Sequence, residues 1–170
     1  MITLDFETEA IVGSPLVTPP RPVGIAILSE DYPAGDYLTG DQMKRCWTDS
    51  LASSEDLLFH NAPFDLSVGK YWLGGTMPEW SRIHDTMYLL FMADPYAKSL
   101  SLKPSAERYL GDPPETQNAL HDWILCNVRG ATKRNAGAYI SEAPRELVAP
   151  YAIDDVLKTR NLYDFLTEAV

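Results

Sequence analysis

Polar and apolar residues alternate from the second residue onward. Ile2, Leu4 and Phe6 are apolar, while Thr3, Asp5 and Glu7 are polar. Side chains of a strand take opposite faces with a period of two, so the pattern predicts a strand over 2–8. One face of it is core and the other carries two carboxylates side by side. The apolar run 22–28 predicts a second, central strand, after a loop over 13–22 rich in Pro and small residues. A turn at 32–36 leads to a short third strand at Tyr37 and Leu38. Met43, Trp47 and Leu51 stand at helical spacing, predicting a helix from Thr39 or Asp41 to 52. A short buried strand follows at 57–60. Pro63 then suits the first turn of a helix reaching 72, which Gly74 and Gly75 end.

The second half reads differently. A short strand at 82–84 leads into a helix over 85–93, stopped by Pro95, and 102–110 is a helix closed by Gly111. A further helix over 116–128 has Leu120, Trp123, Ile124 and Cys126 as its apolar set. Residues 129–137 form a basic, glycine-containing loop, 143–148 a short helical turn, and 151–166 the last long helix. Strands come first and helices dominate later, which predicts an α/β class with a mixed sheet. The 170 residues suit one domain spanning 1–170.

Composition narrows the function. A net charge of -10 argues against a strong non-specific grip on nucleic acid, which needs clustered Lys and Arg. It leaves room for an enzyme that holds a strand end through metal ions, since carboxylate ligands add to the acid count. No apolar run approaches the ~18 residues of a membrane span, and no signal-peptide pattern opens the chain, so a cytoplasmic location is expected. Cys46 and Cys126 show neither metal spacing nor a disulfide framework.

Asp5 and Glu7 raise each other's pKa unless a cation holds them, and hard divalent cations take oxygen ligands. The plain alternative is a half-exposed edge strand with two solvated acids. Asp65 stands in the first turn of a helix, where the helix dipole alone favours an acid. Asn61 either caps that helix or touches a substrate. Tyr151 and Asp155 are four apart and share a helix face. Ala152, Val156, Tyr163 and Leu166 form the apolar stripe of that helix. The stripe makes Asp155 the inward acid and Asp154 the solvated one. Asp85 is read as an N-cap. His60, His84 and His121 show no ligand spacing and are assigned no metal.

Taken together, these stretches resemble the DEDD superfamily of 3′–5′ exonucleases, in particular the proofreading domain of phage-type family-A DNA polymerases. Leu4-Asp5-Phe6-Glu7-Thr8 is similar to the first exonuclease motif, and His60-Asn61-Ala62-Pro63-Phe64-Asp65-Leu66 to the second. Tyr151-Ala152-Ile153-Asp154-Asp155 is similar to the third. His84-Asp85-Thr86-Met87 and the stretch from Ser101-Leu102-Lys103 to Tyr109-Leu110-Gly111 resemble the connecting helices. The tyrosine four residues before Asp155, with Pro150 where the histidine variant has its His, marks the tyrosine subclass, DEDDy.

The resemblance implies a ribonuclease-H-like fold, a five-stranded mixed sheet flanked by helices. It implies two Mg²⁺ or Mn²⁺ ions per site. Asp5, Glu7 and Asp155 would hold one, Asp5 would bridge to the second, and Asp65 would support that one partly through water. Tyr151 with Glu7 would orient the attacking water in an in-line displacement that releases nucleoside 5′-monophosphates. The expected substrate is a single-stranded or frayed DNA 3′ end. Phe6, Phe64 and Leu66 are candidates for stacking on its bases, Asn61 for a contact to its strand, and Arg129, Lys133 and Arg134 for phosphates. A polymerase domain or subunit is the implied partner, and the setting a phage or a bacterial cytoplasm. Two alternatives stand beside this one. The first is an RNA-trimming exonuclease of the same superfamily, distinguished by contacts to the 2′-hydroxyl. The second is a non-catalytic nucleic-acid-binding module that kept the fold.

Overall fold

The computed structural model describes residues 1–113 and 115–168, and the side chains of all of these except 115–118. Five strands run in chain order: β1 (Ile2–Thr8), β2 (Pro22–Leu28), β3 (Asp36–Leu38), β4 (Leu57–Phe59) and β5 (Ile83–Asp85). They form one sheet in the order β3-β2-β1-β4-β5. β2 is antiparallel to both β1 and β3, whereas β1–β4 and β4–β5 are parallel. β1 is therefore the middle strand. The expected five-stranded mixed sheet flanked by helices is present, and the half-exposed edge strand is excluded.

Among the described residues six α-helices flank the sheet: α1 (Gly40–Ala52), α2 (Ala62–Leu73), α3 (Thr86–Ala93), α4 (Leu102–Leu110), α5 (Glu115–Asn127) and α6 (Arg145–Glu168). The period-two alternation of β1 divides its side chains between two layers. Ile2, Leu4 and Phe6 join Trp47 of α1 and Val68 of α2 in one core. Trp47 is fully buried, and its ring meets Phe6 at 5.2 Å. Gly69 lets α2 approach it, since a Cβ at that position would stand 2.3 Å from the indole. The opposite face, to which Asp5 and Glu7 belong, is roofed by α5, α6 and the 3-10 segment Ala136–Glu142. That polar face is thus not solvated: Thr3 and Glu7 are buried. A third cluster joins Leu90 of α3, Ala106 of α4, and Leu162 and Leu166 of α6.

Three sequence expectations are corrected. The turn at 143–148 and the helix at 151–166 are one helix running through Pro150. A proline removes one helical N–H and crowds the carbonyl four residues back. Here Val148, Ala152 and Val156 bury at four-residue spacing in one core, and that burial keeps the helix continuous on both sides of the ring. Cys126 is exposed and lies outside the inward face of α5. Asp154 is not free in solvent: its Oδ2 accepts from Lys158 Nζ at 2.6 Å, and Lys158 is itself buried.

No helix among the described residues is long and apolar enough to cross a membrane.

Candidate metal centre

β1 and α6 bring the candidate acids together from opposite ends of the chain. The pleat points Asp5 and Glu7 toward α6, and α6 returns Asp155 from above the sheet. One carboxylate oxygen from each of Asp5, Glu7 and Asp155 lies within 4.8 Å of the others. Glu7 and Asp155 are buried and Asp5 is partly exposed. An oxygen-only donor set of this size suits a hard divalent cation such as Mg²⁺ or Mn²⁺.

The electrostatics agree with the crowding. Burial first, and Asp155 second, push the Asp5 carboxyl up to about 8. Burial and the neighbouring Asp5 and Asp155 hold Glu7 well above the usual carboxylate range. Burial raises Asp155 as well, against the pull of Lys103.

These shifts fix a pH dependence. A raised carboxyl binds its proton more tightly folded than unfolded, so its contribution to stability is present at low pH. That contribution is lost as pH rises from about 4 to about 8. In EDTA the wild-type melting temperature should fall across that window relative to Asp5→Ala. With Mn²⁺ the stabilisation should grow with pH over the same range, because ligands must lose protons to bind. Melting curves from about pH 5 to about pH 8, with and without metal, check both signs; parallel wild-type and variant curves in EDTA would contradict the crowding.

Asp65 stands one step away from these three. It enters from the first turn of α2, is 1 % exposed, and its Oδ1 accepts from the Phe6 backbone N–H at 2.9 Å. Its carboxyl is raised by burial and then by the nearby Asp5. The dipole at a helix start is therefore only part of its setting, because its hydrogen bond crosses to β1.

Asn61 does not cap α2: its side chain makes no cap hydrogen bond, and its backbone is left-handed at φ 69°. Asp85 holds that helix start instead. It accepts from Asn61 N and Ala62 N with its two oxygens, and caps α3 by accepting from Met87 N, all at 2.9 Å. Asp85 is thus the N-cap expected for α3, and its carboxylate also receives the amides at the start of α2. His60 Nδ1 meets Thr86 Oγ1 at 2.8 Å, and His84 Nε2 meets Asp56 at 3.0 Å.

Of the stacking candidates, Phe6 and Leu66 are core side chains. Phe6 lies on the strand face opposite Asp5, and both are buried in the Trp47 cluster. For Phe6 the reason is the pleat, since the residue next to an acid on a strand points away from it, whereas Leu66 turns into the core from α2. Phe64 is half-buried against the same cluster. Arg129, Lys133 and Arg134 are exposed.

Tyr151 faces the acids from α6. Burial, then the charges of Asp155 and Glu7, raise its phenol far above its ordinary value. It keeps its proton at neutral pH.

Sequence reasoning missed two residues here. Lys103, in the first turn of α4, pairs with Asp155 Oδ1 and sits 4.3 Å from the Tyr151 ring centre. Tyr37 of β3 lies over Gly24, which faces Glu7 across the β1–β2 pair; a Cβ on Gly24 would come within 2.1 Å of its ring. The charge of Glu7 raises the Tyr37 hydroxyl, after burial. A glycine inside an apolar strand, marking a close approach, was the available signal for Tyr37.

No family model matches the sequence, and no curated protein sequence does. Solved structures match the fold. The chain is similar to a structure described as the apo form of a nuclease, with TM-score 0.63 and 20% identity, over 98% of this chain and 71% of that one. It is similar to Brucella melitensis NrnC with bound Mg²⁺ at TM-score 0.61 and 18% identity, with the same coverage. NrnC bound to pGG matches at TM-score 0.59 and 19% identity, again over 98% and 71%. Identities this low establish the shared α/β architecture, which is that of the ribonuclease-H-like fold, and leave the chemistry to the site itself.

Proposed function

We propose that this chain is a metal-dependent 3′–5′ exonuclease. The observation that carries the proposal is the convergence of Asp5, Glu7 and Asp155, three carboxylate oxygens within 4.8 Å of one another beside Tyr151. A divalent metal bound there would supply Lewis-acid stabilisation of phosphoryl oxygens and a water activated at neutral pH.

The chain's own residues do the rest. Asp5, Glu7 and Asp155 hold the cation and set its position relative to the strand end. Asp65 fixes the backbone of β1 at Phe6, one residue from both Asp5 and Glu7. Tyr151 donates a hydrogen bond and orients the nucleophile. In the reaction a water oxygen bonds to phosphorus, the P–O3′ bond breaks, and the water proton passes to the departing 3′ oxygen. The products are a nucleoside 5′-monophosphate and a strand shorter by one residue. The 3′–5′ direction follows the resemblance of the three motifs, and two ions with Asp65 supporting the second is the arrangement it implies.

For the substrate, RNA is favoured over DNA. NrnC, which shares the fold, has been solved with pGG and with Mg²⁺. A short, single-stranded ribonucleotide end therefore has more support than the polymerase-type DNA end implied by the motifs. The polymerase partner and the phage setting rest on the sequence resemblance alone. Digestion of matched 5′-labelled RNA and DNA oligonucleotides with Mg²⁺ or Mn²⁺, against an EDTA control, tests the reading. A metal-dependent ladder shrinking from the 3′ end, faster on RNA, is expected. Faster loss of DNA would restore the proofreading type, and no digestion of either would leave a binding module.

A further inference from the structure

The acid cluster already contains a cation. Lys103 forms an ion pair with Asp155, and the two side chains are 15% and 11% exposed. Its charge also pulls Asp5 and Glu7 downward against burial and repulsion. The ammonium rests over the Tyr151 ring, 4.3 Å from its centre. His121, whose ring centre is 6.2 Å from that of Tyr151, faces the same group, and burial and then Lys103 lower its pKa. Lys158, the other lysine near Asp155, is engaged by Asp154. An open pocket of about 480 Å³ adjoins Lys103, lined also by Ser101, Leu102, Glu107, Tyr151 and Asp155.

We infer that Lys103 is the resident counter-cation of the acid cluster and gives up Asp155 when a divalent metal binds, so that lysine and metal compete for this carboxylate. The inference rests on the metal-binding reading above. An ammonium and a divalent ion at one carboxylate oxygen repel, and the ammonium is the one on a flexible four-carbon stem. The adjoining pocket gives that stem a place to go, with the charge in water and the methylenes against Leu102 and Tyr151.

Competition has two consequences. Asp155 keeps a counter-charge when no metal is present, which eases the repulsion in the metal-free cluster. Metal affinity is lower than the donor set alone would give.

The test is Mn²⁺ titration by calorimetry, with melting temperatures in EDTA and in Mn²⁺, on wild type, Lys103→Met, Lys103→Arg and Asp5→Ala. Lys103→Met should melt lower than wild type in EDTA and bind Mn²⁺ about tenfold more tightly or better, since a close positive charge is removed. Lys103→Arg, which keeps the charge, should stay near wild type and shows that position 103 tolerates change. A lysine that only packs would lower the melting temperature with no gain in affinity, and that result overturns the inference. If wild type binds Mn²⁺ in a way lost in Asp5→Ala while Lys103→Met binds equally or more weakly, the inference fails and the metal-binding reading stands. If neither wild type nor Lys103→Met binds Mn²⁺, both fail. Binding in Lys103→Met alone would mean that the lysine excludes metal outright, and upholds the competition.

Discussion

Replacing Asp5 by alanine should lower exonuclease activity by at least about 10³-fold while the protein stays folded. Asp5 is the partly exposed member of the three-oxygen cluster, and its removal leaves two ligands where three are needed to fix a cation. The fold does not depend on it. Its charge is opposed by burial and by Asp155. The melting temperature in EDTA should therefore hold or rise. The gain on adding Mn²⁺, on the order of 5 °C for a ligand near 100 times its Kd, should vanish. Asp154→Ala is the matching control. Its neighbour Lys158 loses its partner inside the protein, so stability falls, yet the acid cluster is intact and activity per folded molecule should be kept. Retained activity in Asp5→Ala would remove the acid cluster from the chemistry, and lost activity in folded Asp154→Ala would show that the wrong face of α6 has been assigned to it.

The second large effect is expected at Asp65, and two substitutions separate its two roles. Asp65→Ala strips the acceptor from the Phe6 N–H in a site with no water access, at a cost of about 1–3 kcal/mol. At roughly 2–4 °C per kcal/mol for a chain of this size, several degrees of melting temperature should go. Asp65→Asn keeps an acceptor oxygen and carries no charge. Because burial and Asp5 already favour the neutral form of this carboxyl without metal, the amide is a fair copy of it. Asp65→Asn should melt near wild type in EDTA and still lose about 10²-fold or more in activity, the scale seen when a group supporting a metal site is removed. An active Asp65→Asn would reduce Asp65 to a structural buckle between α2 and β1.

Much of the architecture was legible because one periodicity governs it. The alternation along β1 separates core from chemistry, and β2, β4 and the helices at 40–52, 62–73 and 102–110 carry their own stop signals. The same alternation argues against Phe6 as a base-stacking group, since it places that ring on the face away from Asp5. Adjacency in sequence was followed there instead of the pleat. Pro150 shows the opposite limit. A proline is a strong local signal, but Val148 and Ala152 on either side of it are buried in one core, and burial against a distant sheet is not written in the local sequence.

The site was half legible for a related reason. Asp5 and Glu7, two apart on a strand, and Tyr151 and Asp155, four apart on a helix, reveal themselves as pairs. Lys103 and Asp155 are 52 positions apart and belong to different helices, so nothing in the spacing of either announces their contact. Asp154 was assigned to solvent because the sequence shows which face it takes but not that Lys158, one turn on, would be buried beside it.

Asp85 ties together parts of the chain that are otherwise independent. Its carboxylate receives Asn61 N, Ala62 N and Met87 N, two of them opening the helix that bears Asp65 and one opening α3, which packs on the helix of Asp155. Opening either helix start exposes the same anion and strands the remaining amides. In hydrogen exchange the adjacent amides of Asn61 and Ala62 and that of Met87, more than twenty residues further on, should slow and quicken together as one cooperative unit. Asp85→Ala should accelerate all three, whereas independent rates would mean that each helix start is held separately. Asp65 and Asp155, the candidate acids from the middle and end of the chain, would then rise and fall in order with a residue that hydrogen-bonds to neither.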